Sequence, residues 1–73
     1  VCDKATSTVT NVGRATTALY AQENLKHQAR DLRGDMVQAG VRRVRAVQMR
    51  TECLPAGYAG LTSCTAVVRL CGR

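Results

Sequence analysis

Four cysteines in a chain of 73 residues constrain the fold more than any other feature, and their spacing decides what they can be. Cys2, Cys53, Cys64 and Cys71 are separated by gaps of fifty, ten and six residues. A structural zinc site draws its sulfurs from close C-x2-4-C pairs, because one tight turn sets two ligands at tetrahedral angles. No such pair exists here, and the C-x-x-C of thioredoxin-type redox centres is absent as well. An even cysteine count in so short a chain then reads as two disulfides, and hence as a periplasmic or extracellular address where thiols stay oxidised.

The apolar residues explain why staples are needed. Phe and Trp are absent, Tyr20 and Tyr58 are the two aromatics, and Ala, Val and Leu must supply nearly all the burial. A chain of this length forms one domain, residues 1–73, with a thin core. At about 25 cal/mol per Å² of buried apolar area, against about 1.5 kcal/mol per ordered residue, folding comes out near balance before any cross-link is added. Two disulfides at roughly 2–4 kcal/mol each decide the outcome.

No apolar run approaches the ~18 residues of a membrane span, and no signal peptide stands at Val1, so the chain reads as processed or trimmed. Cys2 so near the start invites a lipid-carrying reading. That reading would strand one of three remaining thiols.

Along the chain, the Thr-rich stretch 2–12 alternates weakly and suits a half-exposed strand. Thr16 or Thr17 is expected to cap a helix, whose apolar stripe runs through Ala15, Ala18, Leu25, Ala29, Leu32, Met36 and Ala39, with Gln22 as one polar slot. The seven-residue recurrence also fits a coiled coil, but an Ala-rich seam of three heptads is weak, and a helix laid on a small sheet needs the same stripe. Gly40 is placed for a left-handed C-terminal cap, whereas Gly34 is a flaw in the helix interior or an early end.

Residues 41–53 read as a strand in which Val47, Met49, Thr51 and Cys53 share a face. Val44 and Ala46 fall in the opposite register, which a bulge near Ala46 or a strand covered on both faces would explain. The segment 54–63, with Pro55, Gly57 and Gly60, is the connecting loop. A last strand, 64–71, sets Cys64, Ala66, Val68 and Leu70 on one face and Thr65, Val67, Arg69 and Cys71 on the other. The expected fold is α+β, in the order β-α-β-β: two layers, with one amphipathic helix on a three-stranded sheet.

An antiparallel hairpin across the loop places Cys53 and Cys64 at its base. A crossover making the first strand parallel to the second brings Cys2 to the sheet end where Cys71 emerges. Geometry therefore leans to Cys53–Cys64 with Cys2–Cys71. Joining Cys53 to Cys71 within that hairpin would span seven residues of strand, about 23 Å, against a usual Cα separation of about 4.4–6.8 Å. That bond requires a shorter final strand, or one docked elsewhere.

The stretch "RAVQMRTECLPAGYAGLTSCTAVVRLCGR", after a helix ending "DMVQAGV", resembles the C-terminal part of the small outer-membrane lipoproteins related to RcsF, the envelope-stress sensor of enteric bacteria. The resemblance covers about residues 29–73 and rests on spacing more than identity. This chain differs in its longer gap from Cys2 to the helix, its longer final loop and its Arg-rich strand. The resemblance implies the interlocked pairing Cys2–Cys64 with Cys53–Cys71. It also implies an outer-membrane lipid anchor in the full-length form and a sensing or structural role.

His27 follows Glu23 by four residues on the expected helix, which suits a surface contact better than catalysis. Neither Ser7 nor Ser63 has a recognisable base, and the five carboxylates form no paired constellation, so an enzyme is not expected and no cofactor or metal is called for. Charge says more. Eleven Lys and Arg against five Asp and Glu give a formal charge of +6. Arg42, Arg43, Arg45 and Arg50 crowd one strand, with Arg69 on its neighbour. Such a patch attracts phosphate-bearing surfaces, although charges of this kind also keep an edge strand from aggregating. Nucleic acid is disfavoured, because stacking platforms need aromatics and none lies near these arginines. The expected function is a non-enzymatic bacterial envelope domain that binds another envelope protein or an anionic envelope surface. The alternative is a cationic secreted effector acting on anionic membranes.

Overall fold

The chain leaves its first strand through Gly13 and enters a helix at once. In the computed structural model, which describes residues 1–57 and 59–73, β1 (Cys2–Val12) is followed by α1 (Arg14–Gln38), β2 (Arg45–Pro55) and β3 (Leu61–Cys71). Tyr58, in the expected loop, lies outside the described residues. The sheet order is β1-β3-β2, with β3 antiparallel to both neighbours. β1 and β2 therefore run the same way, as a crossover through α1 requires, but β3 is inserted between them to make a split βαβ unit. The helix rises about 1.5 Å per residue and the strands about 3.3 Å, so 25 helical residues match 11 strand residues in length. The result is a two-layer slab of 47 × 16 × 15 Å.

Small side chains bring the layers together. Ala5 and Ser7 of β1, Cys64, Ala66, Val68 and Leu70 of β3, and Thr17, Ala21, Leu25 and Met36 of α1 are the buried set. The buried stripe of α1 is rotated from the expected one in its first half. Ala15 is exposed and Thr17 is fully buried. Thr17 also does not cap the helix. The N-cap is Gly13, without a side-chain cap, and the Thr17 hydroxyl donates to the Gly13 carbonyl one turn back at 2.5 Å. This bond satisfies the hydroxyl inside the core, which is why a Thr can occupy a fully buried helical position.

At the other end Gly40 fills the expected role. With φ at 93°, it donates to Val37 O at 3.0 Å, while Val41 donates to Met36 O at 2.9 Å and packs against the core. This is the Schellman arrangement, with its apolar contact between the residue after the glycine and the last buried turn. Ala39, assigned to the stripe, lies just past the helix and is exposed. Gly34 does not end α1, which runs through it on an exposed side.

β2 begins at Arg45 rather than at residue 41. Residues 41–44 form an irregular link tied to the C-terminal segment, with Arg42 and Arg73 exchanging two backbone hydrogen bonds of 2.8 and 2.7 Å. The phase slip is a bulge: Ala46 opposes Leu70 and Gln48 opposes Arg69, leaving Val47 as the extra residue. β2 and β3 both extend into the segment expected to be loop, which shortens the connection to residues 56–60.

The disulfides are Cys2–Cys71 and Cys53–Cys64, each with a Cα separation of 4.1 Å and each joining residues directly opposite in the ladder. The interlocked pairing implied by the family resemblance is not formed. Cys64 and Cys71 stand toward opposite ends of β3 and on opposite faces, so Cys53 reaches the first and Cys2 the second.

Candidate functional site: a cationic face of the sheet

One face of the sheet carries α1, and the other is open to solvent. Alternation along the strands assigns Cys2, Lys4, Thr6, Thr8 and Thr10 of β1 to the open face. With them stand Ser63, Thr65, Val67, Arg69 and Cys71 of β3, and Arg45, Gln48, Arg50, Glu52 and Leu54 of β2. Hydroxyls dominate one end, where Thr8 and Thr65 lie 3.0 Å apart through their Oγ1 atoms. Cations dominate the other.

The register sets the cations in rows. Lys4, Arg69 and Gln48 are cross-strand neighbours, and Arg50 stands one row further along, opposite Val67. Together with Cys2 and Asp3 these residues line a shallow groove of about 490 Å³. Asp3 accepts the backbone N–H of Lys4 at 2.8 Å. Arg50 pairs with Glu52 at 2.9 Å, and both side chains are well exposed, so this pair is screened and weak. Among the described residues Lys4 and Arg69 make no ion pair. A second, smaller depression of about 160 Å³ at the same end is lined by Arg43, Arg45, Cys71, Gly72 and Arg73.

Of the five arginines expected to form one patch, Arg50 and Arg69 meet in the groove, while Arg43 and Arg45 meet in the neighbouring depression. Arg42 joins neither lining. Its separation from the patch follows from the irregular link, since residues 41–44 do not alternate as a strand would. Sequence reading missed Lys4 and Arg73. Lys4 was recoverable: once Cys2 is opposite Cys71, an antiparallel ladder necessarily sets Lys4 opposite Arg69.

The other candidates are dispersed. His27 is exposed on α1, and Glu23, its expected partner, contacts Lys26 instead at 3.4 Å. Ser7 is buried beneath α1 and Ser63 is on the open face opposite Thr10. All four cysteines are consumed as disulfides, and among the described residues no cluster of three His, Cys, Asp or Glu side chains could hold a metal ion. Among the described residues, no helix is long and apolar enough to cross a membrane.

Fold and site together define a small disulfide-stapled α+β domain with a cationic, solvent-facing sheet surface. Comparison with protein families, with characterised proteins and with solved structures finds no match to this chain.

Proposed function

We propose that the protein is a non-enzymatic binding domain of the bacterial envelope, periplasmic or secreted, which engages an anionic envelope component through the open face of its sheet. The observation that carries this reading is the convergence of Lys4, Arg50 and Arg69 from three different strands on one groove, with two of the three free of carboxylate partners among the described residues. The stapled sheet fixes the backbone positions from which these cations project, which favours a multivalent anion such as a phosphate-bearing headgroup array. The two disulfides support the oxidising address.

Co-sedimentation with phosphatidylglycerol-rich vesicles tests the reading. The expected result is binding that weakens as salt rises, falls by roughly tenfold or more in a Lys4→Ala, Arg50→Ala, Arg69→Ala triple variant, and causes no dye leakage. Absence of binding at low salt, or equal binding by the triple variant, contradicts the proposal. Leakage would support the membrane-active alternative.

A further inference from the structure

α1 packs over β1 and β3 and barely reaches β2, which is also an edge of the sheet. In consequence Met49, on the face that carries α1, is left 69% exposed; on the same strand Leu54, on the open face, is 69% exposed and Val47, at the bulge, 46%. Beside Met49 an apolar hollow opens toward Gln22, Leu25, Lys26, Ala29 and Val68. The opposite edge, β1, is flanked by α1 and exposes only Val12 as a large apolar residue.

The backbone of β2 is prepared for a further strand. Cys53 and Cys64 are directly opposite at a Cα separation of 4.1 Å, the narrow spacing of a pair that exchanges no backbone hydrogen bonds. Alternation then directs the N–H and C=O groups of Met49, Thr51 and Cys53 away from β3, toward the free edge. The bond from Ala56 N to Leu61 O at 3.0 Å is in phase with this assignment. At one end of the window Pro55 has no N–H to offer, and at the other the bulge at Val47 interrupts the edge. Residues 48–54 are left open.

We propose that a second copy of this chain occupies that edge, antiparallel and centred on Thr51, to give a six-stranded sheet. Charge selects the register. Centring on Thr51 places Arg50 opposite Glu52 of the other copy and Glu52 opposite its Arg50, in the closely spaced pairs where side chains interact most. Centring one residue earlier opposes Arg50 to itself, and one residue later opposes Glu52 to itself. In the chosen register Met49 lies beside Cys53 of the other copy, which covers part of its exposed surface. The open faces of the two copies become continuous, so both cationic grooves look the same way.

Sedimentation velocity from micromolar to millimolar protein tests this, on wild type, Arg50→Glu, Glu52→Arg and an equimolar mixture of the two variants. The expected results are a species of twice the 7.9 kDa chain mass for wild type, association weakened by roughly tenfold or more in each variant alone, and recovery in the mixture. Recovery follows because each mismatched strand finds the opposite charges on the other. A wild type that stays monomeric throughout overturns the proposal. So does a dimer indifferent to these charges, or a mixture that fails to associate while each variant retains native circular dichroism.

Discussion

The two disulfides close very different parts of the molecule. Cys53–Cys64 ties a hairpin across a sequence separation of 11, with Cys64 fully buried beneath the helix. Cys2–Cys71 spans a separation of 69, nearly the whole chain, and sits on the open face beside the cationic groove. The first secures local structure that a short loop already favours. The second holds together strands that arrive from opposite ends of the sequence, for which the unfolded chain has the most freedom to lose. The staple most important to stability is thus the one most accessible to reductant.

That contrast predicts a ranking. On the loop-entropy relation, removing Cys2–Cys71 as a Cys2→Ala, Cys71→Ala variant costs about 4.4 kcal/mol, and removing Cys53–Cys64 in the same way costs about 2.8 kcal/mol. Urea unfolding of the two double variants measures the difference. A reversed order would show that packing around buried Cys64 outweighs loop length. Titration with a small thiol, followed by alkylation and peptide mapping, is expected to open Cys2–Cys71 first, because Cys64 is shielded.

Two glycines extend the comparison to smaller effects. Gly72 follows Cys71 directly, and a Cβ there would meet Arg42 O at 2.7 Å and Val41 Cγ1 at 2.5 Å. Gly72→Ala must therefore push the 41–44 link away from the C-terminal segment, at a cost of about 1–3 kcal/mol by urea unfolding. Gly34 is the opposite case, an exposed helical position where an added methyl group meets nothing within 4 Å. Gly34→Ala is expected to stabilise by about 1 kcal/mol and to raise the melting temperature by several degrees.

Element order, the lean toward Cys53–Cys64 with Cys2–Cys71 and the phase slip in β2 were legible because each leaves a local signature, a shift in apolar period or a span of strand too long for the rival bond in a full-length hairpin; the slip alone fitted a bulge and a strand covered on both faces equally well. The buried half of α1 was less so. Thr17 reads as polar, and only its hydroxyl's bond to Gly13 O makes it a core residue. The cationic site was half visible. Clustered arginines drew attention to residues 42–50, yet the groove depends on Lys4, which enters through the pairing of β1 with β3 and so through contacts distant in sequence. The irregular link at 41–44 was hidden for the same reason, since its bonds to Arg73 join segments on either side of the β2–β3 hairpin.

Covalent cross-links, rather than the slim layer of small apolar side chains, keep this slab folded. The decisive check is far-ultraviolet circular dichroism of the fully reduced and alkylated protein, followed through a thermal scan at neutral pH. Dependence on the cross-links requires loss of the native spectrum, and of any cooperative transition, at room temperature. A native spectrum with a sharp melt after both bonds are broken would show instead that packing alone suffices.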